Sequence, residues 1–278
     1  MKHSRLMQTL CLLFALCVIM TSVPGCGSQS SSQEPVSSSQ AVSSEPEQEP
    51  EPEEDLEIQR VFLVEKIDEG IARNPDTVGW LYIPNTEIDN AVLQGPDNDY
   101  YLRIDEDKKY DIFGCYFADF RCELTDRDSL VKNTIIYGHS DYRDDPEGKR
   151  FSQLFHYAQD IDFVRNNPYI YFSVPEDDLV WQVFAVFFTH IDFNYIQTHP
   201  SEEEFQYILD EARARSEYII DVPVTTEDRI LTLSTCSGEY VPGDHTNYRL
   251  VVMAKLLPTN EVTQLTMEVE PNPNPKKS

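Results

Sequence analysis

The sequence predicts a mainly β domain, closed or nearly closed into a barrel. Eight apolar or alternating runs carry this reading, at 79–84, 90–94, 112–118, 134–139, 169–174, 179–189, 229–236 and 248–257. Clusters of Pro, Gly, Asn and Asp separate them, the pattern of short strands bounded by turns. Only two longer segments carry a helical period. Many strands with few helices favour closure, because closure leaves no unpaired edge; a sandwich is the alternative.

The first helical segment is 56–73, where Val61, Val64, Ile67 and Ile71 recur at helical spacing and Asn74-Pro75 stops the chain. The second starts at Ser201-Glu202-Glu203-Glu204, the form of a capping box. Phe205, Ile208, Leu209 and Ala212 then fall at i, i+3, i+4 and i+7, an apolar face made to pack on a sheet. A short helical turn is expected around 151–157, and no internal repeat is evident.

The ends differ from the middle. Lys2 and Arg5 precede an apolar run at 10–20 and the small-residue stretch Val23-Pro24-Gly25-Cys26-Gly27, which together read as an export signal over 1–26. The run is shorter than the roughly 20 residues of a membrane span. Cys26 stands where a bacterial lipoprotein signal carries its lipidated cysteine. A lipid anchor, an uncleaved signal anchor and full secretion are the three readings, and the first two place the protein on the outer face of a membrane. Residues 27–55 are Ser, Gln, Pro and Glu without Lys or Arg, a composition that buries too little apolar surface to order itself and reads as a tether. Residues 56–258 form one domain, and 259–278 read as a second disordered segment. The net charge of -27 argues against a nucleic-acid partner, since phosphate contacts require clustered Lys and Arg.

Two of the six cysteines, Cys11 and Cys17, lie in the signal, and Cys26 is the lipidation candidate. Cys115, Cys122 and Cys236 remain, an odd count that flags a free thiol. On one extended strand, Cys115 and Cys122 would stand roughly 23 Å apart, beyond the about 7 Å a disulfide spans, so both are expected free.

Three positions could carry chemistry. In Thr232-Leu233-Ser234-Thr235-Cys236, alternation sends Leu231 and Leu233 to the core and Thr232, Ser234 and Cys236 to a polar face. A structural cysteine more commonly sits among apolar residues; this one ends a strand before a glycine-containing loop, as a reactive thiol does. His139 ends the apolar run Ile135-Ile136-Tyr137-Gly138, at a strand end where functional groups concentrate. A plain surface histidine is the bland alternative, and His156, His190, His199 and His245 are rival partners for the thiol. Arg249 opens a run whose Leu250, Val252, Ala254 and Leu256 make the opposite, apolar face. If the last two runs pair across 237–247, Arg249 returns beside Cys236, where a guanidinium can hold an oxyanion; otherwise it is an ordinary strand-edge cation.

Taken in order, Thr-Leu-Ser-Thr-Cys at 232–236, the upstream Tyr-Gly-His at 137–139 and the downstream Arg-Leu-Val-Val at 249–252 resemble a sortase. Trp80-Leu81-Tyr82-Ile83-Pro84, Val92-Leu93-Gln94-Gly95, Asp97-Asn98-Asp99-Tyr100-Tyr101-Leu102 and Asp119-Phe120-Arg121 are similar to class B members, as is the long helix before the cysteine strand. The resemblance runs in order across about 56–257. It implies an eight-stranded barrel with an N-terminal helix. It also implies a cysteine transpeptidase that cleaves a surface protein's C-terminal sorting motif after Thr and passes the acyl group to an amine of the cell wall or a pilin. Catalytic roles fall on Cys236, His139 and Arg249, and substrate binding on Asn98 and Ser234. No metal or organic cofactor is implied. Ser140 stands after the histidine where Asn is more familiar, and the loop between Cys236 and Arg249 is longer than usual, with Glu239, Asp244 and His245 in it. A peptidase of the same fold that only hydrolyses, and a surface binding module in which Cys236 is inert, are the rival functions.

Overall fold

The computed structural model describes residues 62–277 apart from 142, 242, 243, 245, 259–261 and 263. The expected signal and tether, with Cys26, and the rival His245 lie outside the described residues. Among the described residues ten strands occur in chain order: β1 (Thr77–Tyr82), β2 (Asp89–Leu93), β3 (Tyr116–Ala118), β4 (Asn133–Tyr137), β5 (Tyr169–Ser173), β6 (Val180–His190), β7 (Tyr218–Ile220), β8 (Ile230–Cys236), β9 (Tyr248–Leu256) and β10 (Val269–Pro271). The helices are α1 (Val64–Arg73), α2 (Phe155–Gln159), α3 (Ile161–Asn166) and α4 (Glu202–Arg215).

Eight strands close into a barrel in the order β1-β2-β3-β4-β8-β9-β6-β5. Closure, not a sandwich, settles the two architectures left open by the sequence. Neighbours are antiparallel except β2 with β3 and β4 with β8, which run parallel. Leu81, Val92, Ile136, Phe172, Trp181, Leu231, Leu233 and Val252 fill the interior. The Trp181 indole, fully buried, donates to Phe172 O at 2.9 Å, so its one polar atom is satisfied. A register shift in β6 between Val183 and Ala185 reverses its alternation: Trp181 and Val183 point inward before it, Val186 after it.

A second apolar layer lies outside the barrel. There Phe205, Ile208, Leu209 and Ala212 of α4 pack on Phe184, Phe187, Val251 and Met253. Burying the three larger α4 side chains stabilises the fold by about 1.5–3 kcal/mol each. The capping box forms as expected: Ser201 Oγ accepts from Glu204 N at 3.3 Å, and Glu204 Oε2 accepts from Ser201 N at 2.8 Å. This layer covers part of the face of β8 expected to be polar. Thr232 and Ser234 are buried there, hydrogen-bonded to Asn133 Oδ1 at 2.6 Å and the Tyr195 hydroxyl at 2.8 Å.

Several expected elements change. The first helix begins at Val64. Leu63, ahead of it, is buried, whereas Ile71 is exposed on the helix's outer side. Ile67 and Gly70 are the residues that meet the barrel, and a Cβ on Gly70 would come within 2.9 Å of Thr77 Cγ2. The third strand is only Tyr116–Ala118, because the chain turns at Gly114, whose φ of 54° suits glycine and whose amide bonds to Asp111 O. The fourth ends at Tyr137, two residues short of His139. The segment after 258 is not a disordered tail over its described residues. β10 pairs antiparallel with β7, Arg165 Nη2 donates to Val269 O at 2.9 Å, and Val269 is buried. A polar composition concealed this order because backbone pairing with an open strand edge and two buried valines, Val262 and Val269, supply the anchorage. β7 was too short to register as a run.

Cys115 and Cys122 are both buried and unlinked. The chain does turn between them, with Cys122 N bonded to Asp119 O at 2.9 Å, yet the thiols stay apart. Burial pushes the Cys115 thiol far up and that of Cys122 up to about 12. Alkylation of the folded protein should therefore modify Cys236 and leave these two untouched until denaturant is added. Recovery of a Cys115–Cys122 linked peptide by non-reducing mapping would refute the assignment.

Candidate active site

Strand register builds the site. In the parallel pair, Tyr137 of β4 stands opposite Ser234 of β8. Two residues further along each chain come His139 and Cys236, at the same end of the barrel. In the antiparallel pair, Cys236 stands directly opposite Arg249 at the start of β9. Adjacent strands lie about 4.8 Å apart, so three consecutive strands deliver a thiol, an imidazole and a guanidinium to one place. The hairpin inferred from sequence is the one observed.

These three residues line a groove of about 320 Å³, together with Asn98, Leu102, Tyr137, Ile191, Ile196 and Ser234 among others. Leu102 and Asn98 belong to the crossover from β2 to β3. Ile191 and Ile196 belong to the segment after β6. The groove is thus an open, largely apolar trough on the outer face of β4 and β8, with the chemistry at one end. Gly138 permits His139 to reach it, since a Cβ there would come within 2.8 Å of the buried Phe151 ring.

His139 is held from outside the barrel. Its Nε2 lies 2.9 Å from Leu102 O and 2.8 Å from Arg103 Nη1. A guanidinium only donates and a carbonyl only accepts, so Nε2 satisfies one contact at a time: Arg103 when it carries a lone pair, Leu102 O when it carries the proton. Burial and then the Arg103 charge lower the pKa below the usual 6.5, against the opposing pull of Leu102 O. The resting imidazole is neutral at pH 7. Arg249 is oriented by its own turn, with Nη1 donating to Thr246 O at 2.8 Å and Tyr248 O at 3.0 Å.

Asp119 joins the two walls of the groove. Fully buried, it accepts from Asn98 Nδ2 at 2.8 Å, Tyr137 Oη at 3.0 Å and Arg121 Nε and Nη2 at 2.8 and 2.7 Å. Arg121 Nη2 also donates to Ile196 O at 3.1 Å. Burial alone would raise the Asp119 carboxyl, but the Arg121 and Asn98 donors outweigh it and hold it below the usual carboxylate range. Asn98 therefore does line the groove, with both ends of its amide engaged: Oδ1 also accepts from Phe120 N at 3.1 Å. Ser234 is beside it in the groove, tied to the Tyr195 hydroxyl, whose pKa burial pushes up to about 12.

Sequence reasoning named Cys236, His139, Arg249, Asn98 and Ser234 as candidates, and the fold brings all five to this groove. It missed Arg103, Tyr195 and the linking role of Asp119. The partners that define these roles lie 18 to 39 positions away in the chain; Asp119-Phe120-Arg121 stands out as a motif, but its reach to Asn98 and Tyr137 does not.

Comparison with known proteins decides the family. The sortase domain model matches residues 81–257. The chain belongs to the sortase family. Sortase B of Listeria monocytogenes is 38% identical over 185 residues, covering 66% of this chain and 71% of that protein. The solved Staphylococcus aureus sortase B–substrate complex superposes with a TM-score of 0.60 at 34% identity, covering 72% of this chain and 86% of that one. A crystal structure of sortase B complexed with triglycine gives a TM-score of 0.62 at 33% identity, covering 74% and 89%. The protein is a sortase-type cysteine transpeptidase of the class B kind, and the closed eight-stranded barrel is that fold.

The Arg103 contact yields a titration test. Replacing Arg103 by Gln removes a positive charge beside His139, so the imidazolium becomes easier to form and the midpoint should move up from a wild-type value below 6.5. NMR titration of the His139 ring reads this directly; an unchanged or lower midpoint in Arg103→Gln would show that the cation does not act on the ring.

Proposed function

We propose that Cys236 is the nucleophile, His139 the proton carrier and Arg249 the oxyanion cation of a transpeptidase acting on a C-terminal sorting motif of surface proteins. The observation that carries this reading is the convergence of the three on adjacent strand ends at one end of a single groove. A neutral His139 takes the thiol proton as Cys236 sulfur attacks the carbonyl carbon of the motif's threonine. The negative charge that develops on the carbonyl oxygen is met by Arg249, a cation that cannot be deprotonated in use. Collapse breaks the C–N bond, and the imidazolium returns its proton to the departing amine. The thioester left on Cys236 is then attacked by an acceptor amine, which gives up a proton to His139 as the thiolate leaves. Splitting one acyl transfer in two is the general gain of covalent catalysis.

The groove's apolar walls and the Asn98 and Ser234 positions suit an extended peptide strand laid along β4 and β8. A sortase B solved as a substrate complex and another solved with triglycine support a peptide donor and an amine acceptor. The acceptor is an amine of the cell wall or a pilin subunit. We place the domain on the outer face of the membrane, held by its N-terminus through Cys26 lipidation or an uncleaved anchor. The basic start, the apolar run at 10–20 and the uncharged-to-acidic tether support this placement. No helix among the described residues is long and apolar enough to cross a membrane.

Mass spectrometry of acyl-enzyme trapped with a library of sorting peptides, followed by product analysis with and without added amine, tests the reading. Product that is the same hydrolysed acid in both arms would make the protein a peptidase. Cys236→Ala should form no acyl-enzyme while keeping the native circular dichroism spectrum, because the side chain sits in the groove and not in the core. Any transfer product from Cys236→Ala contradicts the mechanism. His139→Ala should lose nearly all single-turnover activity, whereas His245→Ala should change it by less than about tenfold, roughly 1.4 kcal/mol in barrier. A larger loss in His245→Ala would reassign the proton carrier.

A further inference from the structure

We propose that Asp144, in the loop after His139, is a positioning residue that clamps the turn following Cys236 and so fixes the thiol relative to the imidazole. The proposal rests on the catalytic assignment above. The β4–β8 ladder ends at the Tyr137–Ser234 pair, two residues short of His139 on one chain and of Cys236 on the other. Something else must hold the two segments together. Asp144 is 6% exposed and points its carboxylate at three donors of the Cys236 loop. Ser237 Oγ donates to Oδ2 at 2.6 Å, Gly238 N to Oδ1 at 2.7 Å and Glu239 N to Oδ2 at 3.0 Å. These are short, charge-assisted bonds, stronger than neutral ones.

The clamp has two further parts. Ser140 Oγ donates to Cys236 O at 2.5 Å, directly joining the residue after the imidazole to the residue that bears the thiol. Gln159 Nε2 of α2 donates to Asp144 O at 2.8 Å and holds the clamp's own backbone. That backbone is left-handed, with φ 54°, a region natural to glycine and strained for most other residues. Aspartate is among the few non-glycine residues that enter this region readily, and its carboxylate adds the three bonds to the Cys236 loop.

The clamp also decides where the oxyanion can be held. The Gly238 and Glu239 amides point at Asp144, and the Ser237 amide bonds to Tyr248 O at 3.0 Å. These three amides are engaged with protein acceptors, whereas Arg249 lines the groove across the hairpin.

The experiment compares Asp144→Gly, Asp144→Ala and wild type by three readouts on the full chain: the native alkylation rate of Cys236, single-turnover acylation against peptide concentration, and the melting temperature. Glycine relieves the left-handed backbone while removing the carboxylate, so the two roles separate. Both variants should acylate about tenfold or more slowly at saturating peptide, with KM moved by less than about twofold, because misplacing a reacting group by about 1 Å costs rate and not binding. Asp144→Gly acylating at the wild-type rate, or a loss confined to KM, overturns the proposal. Should either variant fail to fold, Asp144→Asn and Ser237→Ala decide it: altered alkylation in either supports the clamp, and wild-type alkylation in both overturns it. Alkylation needs no peptide, so it reads the clamp even if no sorting motif is found, and failure of the proposed function stays distinguishable from failure of the clamp.

Discussion

The pairing of β8 with β4 on one side and β9 on the other is the constraint on which the rest of the site depends. β4 and β8 run parallel, so both release their last residues at the same end, and β9 runs back from there. Register then places Arg249 opposite Cys236 with no loop involved. A slip of one residue would turn every side chain to the other face. Leu231 and Leu233 inside against Leu250 and Val252, with Val251 and Met253 outside under α4, make such a slip prohibitive. The core therefore sets the geometry of the chemistry, not only its stability.

Around this frame lies a layer of buried polar groups that find partners. Thr232 bonds to Asn133, Ser234 to Tyr195, and Tyr137 to Asp119, each joining segments far apart in sequence. Networks of this kind are costly when broken and stiff when complete. The Asp119 bonds have a geometric result: the buried Asp119 carboxylate and the half-exposed Arg121 tie the Asn98 side of the groove to the Ile196 side, so an ion pair links the two loops that form its walls. The walls themselves stay apolar, which leaves specificity to a few placed polar groups, the usual form of a ligand groove.

The chain continues past the family match, which ends at 257. The later described residues strap the outer layer: β10 lies on β7, Lys276 pairs with Glu211 of α4 at 2.5 Å, and Lys277 pairs with Glu217 at 3.0 Å. Lys277 also sits 5.4 Å from the centre of the Tyr240 ring, which stacks on Phe188. A segment that began as polar punctuation thus reaches the loop between the nucleophile and Arg249.

Periodicity in the sequence by itself determined the eight barrel strands, the α4 helix with its cap, and the alternation that separates Leu233 from Cys236. It could do so because strand and helix periods are local, and the ordered motifs at 80–84, 97–102, 137–139 and 232–236 then pointed to the family and its candidate residues. It marked the far face of β8 as polar but not what would meet it, because the partners of Thr232 and Ser234, Asn133 and Tyr195, arrive from elsewhere in the chain. It misjudged the residues after 258, because composition does not show that an open edge awaits them at β7. Only the tertiary structure decided that Arg103 touches His139, that Asp119 spans the groove and that Asp144 holds the loop after Cys236. Each of these is a contact between positions 21 or more apart in sequence, and long-range contacts are set by how the barrel closes, which no local pattern encodes.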